Sequence, residues 1–362
     1  MIDRSEIAKV GICLITFSNN SDHQEVVYSM FHALHPDIRV YTIGIQNPKV
    51  SIAPHTDNNF YFDCPSRPGI TKGTFRFRVI KDIVKLIQTL NIRYLYFESL
   101  HIWNVFMMLL CRKQIKIEAI HDVIPHDGNV AMRLCNLATC TLADHVVLRN
   151  KLFLHELLSQ YHLRAEKVTS IELWRSYPEV TIPNCKGIML CFGRIRRYKG
   201  FDLLEKIIAN TPEITYQIVG APDEETMECV EKIRRFPNTT VIMREVSEDE
   251  MQQFFTDADW IVLPYSSATQ SGIIVDAYKF SRPVIAFDVG AIREQVIDGE
   301  TGFLVPESDI DTFAQTIRKV SQFPAEETKR FASKAYSYGY GKYSAAYAAP
   351  RLIDCLRKIK LE

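Results

Sequence analysis

Short apolar runs alternate along the chain with longer stretches in which apolar residues recur every three or four positions. Runs that are apolar throughout, such as Ile261–Leu263, predict strands of a sheet that is buried on both faces. The longer stretches predict helices between the strands, and this alternation predicts an α/β protein with parallel sheets. The predicted strands are Val10–Phe17, Val40–Ile45, Tyr94–Phe97, Ile115–Ile120, His145–Leu148, Gly187–Phe192, Thr215–Val219, Thr240–Met243, Trp260–Leu263, Pro283–Ala286 and Gly302–Val305.

One segment interrupts the alternation. Trp174–Lys186 contains two prolines and little periodicity, which favours a linker. We therefore predict an N-terminal domain over 1–174, a linker over 175–186, a second domain over 187–340 and a C-terminal helix over 341–362 that crosses back toward the first domain. Two such domains would face each other across a cleft, and ligands of parallel sheets bind beyond the carboxyl ends of the strands.

Composition and charge exclude some classes of protein. Lys plus Arg and Asp plus Glu both number 43, so the formal net charge is zero and a dedicated nucleic-acid binder is not expected. The longest apolar run, Val105–Cys111, is far shorter than the ~18 residues of a membrane-spanning helix. The N-terminus lacks the features of a signal peptide, so we expect a cytoplasmic protein.

A first candidate site is the stretch GRIRRYKGFDLLEKII, residues 193–208, between a predicted strand and a predicted helix. Gly193 lets the backbone leave the strand sharply. Arg194 and Lys199 then lie on a loop, where a planar guanidinium and a compact ammonium suit a diphosphate. A solvent-exposed basic loop with no ligand is the alternative, and the residues alone do not decide between them.

A second candidate lies in YSSATQSGIIVDAYKFSRPVIAFDVGAIREQVIDGETGFLV, residues 265–305. A hydroxyl-rich loop after a strand leads into a helix near Ser271 and Gly272. Amides at a helix N-terminus form an anion site, and Asp276 lies one turn further on. A Ser N-cap with an acidic residue in the first turn would need no ligand, so this reading also stays open.

The order of these motifs resembles the C-terminal domain of the family 4 glycosyltransferases, strongly over about 187–306 and more weakly over the first half. The resemblance implies the GT-B fold of two Rossmann-like domains and a retaining enzyme that uses a nucleotide diphosphate sugar, without a cofactor or bound metal. It implies that Arg194 and Lys199 hold the diphosphate. The remaining implied nucleotide-sugar contacts are Gly193, Thr269, Gln270, Ser271, Gly272, Ile273 and Asp276.

One family feature is missing. The family has a Glu-x₇-Glu motif whose first Glu contacts the donor sugar and whose second contacts the ribose. Here the second position is Asp276 and the first is Ala268, which has no polar side chain. Thr269, Gln270 and Ser271 are the polar neighbours expected to take over the sugar contacts.

In the first half, His121 directly follows the strand Ile115–Ile120, where the family often has a histidine near the donor sugar. The resemblance gives it a catalytic role; a structural histidine is the alternative. Second choices on the acceptor side are Asp122, His126, Glu98 and His101. The loop after strand one, Ser18–Asp22, is polar where many relatives have glycines.

Residues 67–90 combine six Lys or Arg residues with Asp82 alone, and their apolar residues fall on one arc of a helix. A basic amphipathic helix can lie on an anionic membrane, although an arc of this kind more often packs on a sheet. Arg78, Lys81 and Lys85 are on the opposite side of the helix from the arc.

The predicted function is thus hexosyl transfer from a nucleotide sugar to a glycan or lipid-linked acceptor. The predicted setting is bacterial surface polysaccharide synthesis at the inner face of the membrane. Two alternatives remain, a nucleotide-sugar epimerase of the same fold and a non-catalytic subunit that binds nucleotide sugar.

Overall fold

The computed structural model describes residues 11–46, 57–65, 67–121, 123, 130–179 and 186–359. The chain divides into two compact units. Unit 1 comprises the described residues up to Ser176 together with those from Tyr343 onward, and unit 2 is Tyr177–Lys342. The returning segment is bound to unit 1 through the main chain of Arg175, whose N–H donates to Tyr343 O (2.8 Å) and whose O accepts from Ala345 N (2.9 Å).

Unit 1 contains a parallel sheet of seven strands in the order β3-β2-β1-β4-β5-β6-β7. The central strands are apolar along their whole length and fully buried, as the near-continuous apolar runs predict. The strands are β1 (Ile12–Thr16), β2 (Val40–Ile45), β3 (Asn59–Phe62), β4 (Tyr94–Phe97), β5 (Ile115–Ile120), β6 (His145–Leu148) and β7 (Val168–Ser170).

From β1 to β2 and from β3 onward, helices connect the successive strands of unit 1, which is the usual consequence of parallel pairing. Those described are α1 (Ser21–Leu34), α2 (Phe77–Thr89), α3 (Ile102–Leu110), α4 (Val130–Leu142) and α5 (Leu154–Tyr161). The C-terminal α12 (Ala345–Lys358) also belongs to unit 1 and packs against α1.

Unit 2 contains a parallel sheet of six strands in the order β10-β9-β8-β11-β12-β13. Its strands are β8 (Ile188–Phe192), β9 (Thr215–Val219), β10 (Thr239–Ile242), β11 (Trp260–Leu263), β12 (Val284–Phe287) and β13 (Gly302–Val305). Its helices are α6 (Phe201–Asn210), α7 (Met227–Ile233), α8 (Glu248–Asp257), α9 (Gly272–Lys279), α10 (Ile310–Ser321) and α11 (Ala325–Tyr343).

The strand order of each sheet reverses direction at one place. In unit 1 the reversal falls between β1 and β4, and in unit 2 it falls between β8 and β11. Loops that leave neighbouring strands at such a point diverge and open a crevice at the carboxyl edge of the sheet. The loops after β1, β4, β8 and β11 are therefore the places where this fold offers a binding site.

The basic segment over 67–90 forms α2, and its apolar arc packs into the core of unit 1. Ile80, Ile83 and Ile87 are fully buried there, while Arg78, Lys81 and Lys85 are exposed. The arc is thus used by the fold, which is the commoner of the two outcomes expected for such a helix. None of the helices in the described part of the chain combines the length and the apolar character that crossing a membrane requires.

Candidate functional site

The loop after β8 approaches α9 closely at Gly193. This glycine has φ +101°, and its N–H donates to Val219 O at 2.9 Å. A Cβ atom here would lie 3.0 Å from Lys199 Nζ and 3.0 Å from Cδ1 of Ile273, in the first turn of α9. The missing side chain therefore leaves room over Gly193 for the Lys199 ammonium and for the side chain of Ile273.

Lys199 is held at this position by its surroundings. It ends a short 3-10 turn, Arg197–Lys199, and only 8% of its surface is exposed. Its Nζ lies 5.6 Å from the ring centroid of Tyr265, which follows β11. The two loops of the crevice are joined by Ser266, whose N–H donates to Tyr198 O at 2.9 Å and whose Oγ donates to the same oxygen at 3.1 Å.

The other cations of this loop have different environments. Arg196 is used by the fold, because its Nε lies 3.3 Å from Asp223 Oδ2 and its Nη1 donates to Ile195 O at 2.6 Å. Arg194 and Arg197 are exposed. The structure thus separates one buried ammonium, one structural guanidinium and two exposed ones, where the sequence shows only a basic stretch.

The loop after β11 leads into α9 through Ser271, the N-cap residue. Gln295 holds this residue from the next loop, because its Oε1 accepts from Ser271 N (2.7 Å) and its Nε2 donates to Ser271 O (3.0 Å). Both groups are buried. Gln295 was not singled out from the sequence, and no local signal marks it, since the pairing spans 24 residues.

The remaining predicted nucleotide-sugar contacts surround the start of α9. Gly272 and Ile273 form its first turn and are partly exposed, as are Thr269 and Gln270 in the loop. Asp276 is one turn further along and is 97% buried, with 3% of its surface exposed. The predicted residues of this half of the site therefore lie along one loop and one helix turn.

Ala268, which replaces the family Glu, is buried in a tight backbone packing. Its carbonyl accepts from Ala291 N at 3.1 Å, and a Cβ on Gly290 would overlap that carbonyl. Gly290 has φ +53°, so the close approach and the backbone conformation both favour glycine there. The path of the chain at Ala268 is fixed by the loop after β12.

In unit 1, His121 lies directly after β5 and contacts Glu98, which lies directly after β4. His121 Nε2 is 2.7 Å from Glu98 Oε1 and 3.0 Å from Glu98 O. The other carboxylate oxygen, Oε2, accepts from Arg149, directly after β6. Burial alone would raise the pKa of Glu98, but the charge of Arg149 and the hydrogen bond from His121 outweigh it and lower that pKa.

The loop after β1 completes this region. Ser18 Oγ accepts from Asn20 N at 3.1 Å and lies 2.9 Å from His23 Nδ1. The rings of His23 and His121 meet edge to face with centroids 5.1 Å apart. Residues after β1, β4, β5 and β6 thus come together at one edge of the sheet, and Arg149 could have been found by its place directly after a strand.

The other acceptor-side candidates are His101, Asp122 and His126. His101 is fully buried, its Nδ1 accepts from Trp103 N at 3.0 Å and its Nε2 donates to Pro65 O at 2.9 Å, so both ring nitrogens are used within the fold. Burial lowers the pKa of His101 to about 4. Asp122 and His126 lie outside the described residues.

Within the described ranges, no group of three or more His, Cys, Asp or Glu residues is arranged to hold a metal ion.

Comparison with known proteins agrees with this architecture. Residues 186–322 match the family model described as Glycosyl transferases group 1. The matched range holds β8, β11, the loops that follow them and α9. The resemblance predicted from the sequence is confirmed, and it covers most of unit 2. The proteins that share this similarity are glycosyltransferases.

A curated relative and two solved structures give the range of similarity. D-inositol 3-phosphate glycosyltransferase of Mycolicibacterium smegmatis is 26% identical over 166 residues, which are 44% of this chain and 38% of that protein. Anabaena Alr3699/HepE in complex with UDP-glucose is 14% identical with a TM-score of 0.73, over 96% of this chain and 99% of that one.

The second structure is the apo form of the lipopolysaccharide outer core galactosyltransferase WaaB, which is 13% identical with a TM-score of 0.63, over 96% of this chain and 99% of that one. Structural neighbours of this kind have two Rossmann-like domains, and the predicted GT-B fold is confirmed.

Proposed function

We propose that the chain transfers a sugar from a nucleotide diphosphate sugar to a hydroxyl group of an acceptor. The observation that carries this proposal is the position of the Lys199 ammonium over Gly193, beside the side chain of Ile273 from the first turn of α9. A buried cation beside a helix N-terminus is an environment for phosphate, because the ammonium and the backbone N–H groups both favour negative charge. The name of the HepE structure, a complex with UDP-glucose, supports a donor of this class.

In the proposed reaction, the bond between the anomeric carbon and the donor phosphate breaks and a bond from that carbon to the acceptor oxygen forms. Negative charge then develops on the departing diphosphate, next to Lys199, Arg194 and the amides of Gly272 and Ile273. Fixed charges aimed at a developing anion lower the barrier without reorganising during the step. We propose that the acceptor attacks from the face that the phosphate leaves, with retention, and that a phosphate oxygen accepts the acceptor's proton.

The donor sugar is proposed to contact Thr269, Gln270 and Ser271 in unit 2, since Ala268 offers no polar side chain. Asp276 is proposed to bind the ribose. In unit 1 we propose His121 as the residue that hydrogen-bonds the sugar during transfer, because it follows a central strand at the carboxyl edge of the sheet.

A panel of nucleotide sugars without acceptor tests the proposed activity. Slow release of nucleoside diphosphate from one donor is expected, because water can replace the acceptor in a transferase. Conversion of the sugar without nucleotide release would indicate an epimerase. Tight binding with neither reaction would indicate a non-catalytic subunit and would contradict the proposal.

We expect turnover to survive removal of divalent cations. The cationic groups already placed at the phosphate site, Lys199 and Arg194 with the N-terminus of α9, supply the charge stabilisation for which other enzymes use a metal. The measurement is the rate of nucleotide release before and after treatment with EDTA. A complete loss that Mg²⁺ or Mn²⁺ restores would show that a metal takes part.

For the acceptor we propose a glycan or lipid-linked molecule of bacterial surface polysaccharide synthesis, reached at the inner face of the membrane. The name of WaaB, a lipopolysaccharide outer core enzyme, supports this class of acceptor. In unit 1, Phe75 and Phe77 are 68% and 48% exposed, and Leu109 and Leu110 at the end of α3 are 48% and 49% exposed. These four residues beside the exposed cations of α2 are the surface proposed to contact anionic lipid.

Vesicle binding is expected to be weak and steeply salt-dependent. The arc of α2 is buried in the core, so charge and a few exposed apolar side chains are the main attractions, and the Debye length shrinks from ~10 Å at 0.1 M salt to ~3 Å at 1 M. The measurement is co-sedimentation with anionic vesicles of the wild type and an Arg78/Lys81/Lys85→Glu variant. The control is a variant with the same charge change in unit 2, Lys206/Arg234/Arg235→Glu.

Loss of low-salt binding in the α2 variant alone would support the surface. Equal sedimentation of all three proteins would exclude α2 from membrane contact, and an equal loss in both variants would indicate an effect of net charge only.

A further inference from the structure

Three side chains form a hydrogen-bonded line across adjacent strands of unit 1. Arg149 follows β6, Glu98 follows β4 and His121 follows β5, and these strands are neighbours in the order β4-β5-β6. Arg149 Nη2 donates to Glu98 Oε2, and Glu98 Oε1 lies 2.7 Å from His121 Nε2. The side chains of Arg149 and Glu98 are 0% exposed, while that of His121 is 16% exposed.

The chemistry of this line fixes where the imidazole proton lies. A guanidinium can only donate hydrogen bonds, so Glu98 Oε2 must accept from Arg149. Against the effect of burial, the guanidinium bonded to Oε2 lowers the pKa of Glu98 and favours the carboxylate, whose Oε1 can only accept. The proton of a neutral His121 is then on Nε2, and the lone pair is on Nδ1. No side chain or backbone group in the part of the chain that the structure describes hydrogen-bonds to His121 Nδ1.

We propose that Glu98 is the positioning residue of His121, that Arg149 holds Glu98 in place as a carboxylate, and that His121 presents Nδ1 as an acceptor to a hydroxyl of the donor sugar. This inference rests on the role proposed above for His121. It replaces the sequence-based view of Glu98 as a residue that itself contacts the acceptor.

The guanidinium is fixed from several sides. Arg149 Nη2 also donates to the hydroxyl of Tyr96 at 2.8 Å, and the guanidinium carbon lies 3.9 Å from the ring centroid of Trp174. Trp174 is itself fully buried and donates from Nε1 to Val26 O at 2.8 Å. A carboxylate held by such a rigid group orients its histidine without the entropy loss of an exposed pair. The charged or titratable groups around the line are His23, Arg67, Arg175, Glu118 and Tyr96.

A second buried carboxyl in the same unit shows what Arg149 contributes. Glu118, within β5, is also 0% exposed, but both of its oxygens accept from the neutral amide Nδ2 of Asn104, at 3.3 Å each. Burial, which outweighs that hydrogen bond, raises the pKa of Glu118 well above its usual range. Two equally buried carboxyls thus have pKa values shifted in opposite directions, and the one whose pKa is lowered has a guanidinium partner.

The test uses Glu98→Gln, which keeps the shape of the side chain. Because Arg149 can only donate, the amide oxygen of the new side chain must turn toward it, and the amide NH₂ then faces His121 Nε2. His121 Nε2 then faces one donor, the new amide, and one acceptor, the main-chain carbonyl of Glu98 at 3.0 Å, so the preference for a proton on Nε2 is weakened. The readout is the ¹⁵N chemical shifts of the imidazole, assigned by their loss in His121→Asn. Glu118→Gln is the matched control.

We expect the Nε2–H tautomer in the wild type and in Glu118→Gln, and a measurable fraction of the Nδ1–H tautomer in Glu98→Gln, where only the main-chain carbonyl of Glu98 still accepts from Nε2. The Nδ1–H tautomer in the wild type would overturn the inference, and this measurement needs no folded variant of Glu98. An unchanged Nε2–H tautomer in a folded Glu98→Gln protein would overturn it as well.

Turnover separates this inference from the proposed function. We expect kcat of Glu98→Gln to fall roughly 10- to 100-fold, the value of one charge-assisted hydrogen bond, with little change in nucleotide affinity. The double variant with His121→Asn should be no slower than His121→Asn alone, because both changes remove the same interaction. A switched tautomer with unchanged turnover would leave the positioning role intact and exclude His121 from the proposed reaction. Additive losses in the double variant would show that Glu98 acts independently of His121 and would overturn the inference.

Discussion

Replacement of Lys199 by alanine should weaken nucleoside diphosphate binding about 10- to 150-fold, which corresponds to the loss of roughly 1.5–3 kcal/mol for a hydrogen bond to a charged group. Lys199 is buried, and its ammonium lies over Gly193 beside the side chain of Ile273 from the first turn of α9. In such a position its attraction for a phosphate is screened less than that of an exposed cation. Arg194→Ala should have the smaller effect, because Arg194 is exposed.

Calorimetric titration of a nucleoside diphosphate into each variant measures these differences. Arg197→Ala is the matched control, since it removes an exposed cation from the same loop and should leave the dissociation constant unchanged. An equal affinity in the wild type and Lys199→Ala would remove Lys199 from the phosphate site. Equal losses in Lys199→Ala and Arg197→Ala would indicate an effect of the overall charge of the loop.

Gly200→Ala should be the most destabilising single-methyl change in the loop after β8. Gly200 has φ +67°, a conformation that costs other residues roughly 1–2 kcal/mol. An added Cβ would also overlap the carbonyl oxygen of Pro264, directly after β11, because the two atoms would be much closer than the 3.0 Å at which such contacts begin. A backbone carbonyl cannot rotate away as a side chain can, so the two strands or their loops must separate. We expect a total loss of several kcal/mol in the free energy of unfolding.

Gly299→Ala separates the two contributions to this loss. Gly299 has φ +72°, close to that of Gly200, but nothing lies within 4 Å of its added Cβ. Urea unfolding of both variants should therefore show a loss of only roughly 1–2 kcal/mol in Gly299→Ala. Equal losses in the two variants would mean that backbone strain alone accounts for the effect and that the loops after β8 and β11 tolerate a wider separation.

The central strands could be predicted from the sequence because their apolar runs are long enough to identify them. Tyr94–Phe97, Ile115–Ile120 and Trp260–Leu263 have the predicted bounds. The strands β3 and β7, at the two edges of the first sheet, were not predicted. Edge strands pair on one side only and stay partly exposed, so they need no continuous apolar run. Their pairing with β2 and β6 is set by the sheet, which local sequence does not show.

Local sequence also could not decide whether the basic segment of 67–90 packs in the core or lies on a membrane. The sequence shows an apolar arc opposite Arg78, Lys81 and Lys85, which suits a core and a membrane equally well. Only the packing of Ile80, Ile83 and Ile87 into unit 1 decides that the arc belongs to the core. The surface left for lipid then includes the exposed side chains of Phe75, which precedes α2, and Phe77, which is its first residue.

The sequence by itself determined the local features of the protein: its strands, its helices and its turn glycines. It also determined that Arg194, Lys199 and His121 lie in segments that follow strands. These follow from periodicity and backbone sterics, which act over a few residues. The tertiary structure alone decided which of these groups meet. Gln295 reaches Ser271 across 24 residues, and Arg149 reaches Glu98 across 51. The parallel order of the strands brings their carboxyl ends to one edge, where residues distant in sequence become neighbours. Burial and the partner of a carboxyl together set the direction in which its pKa shifts.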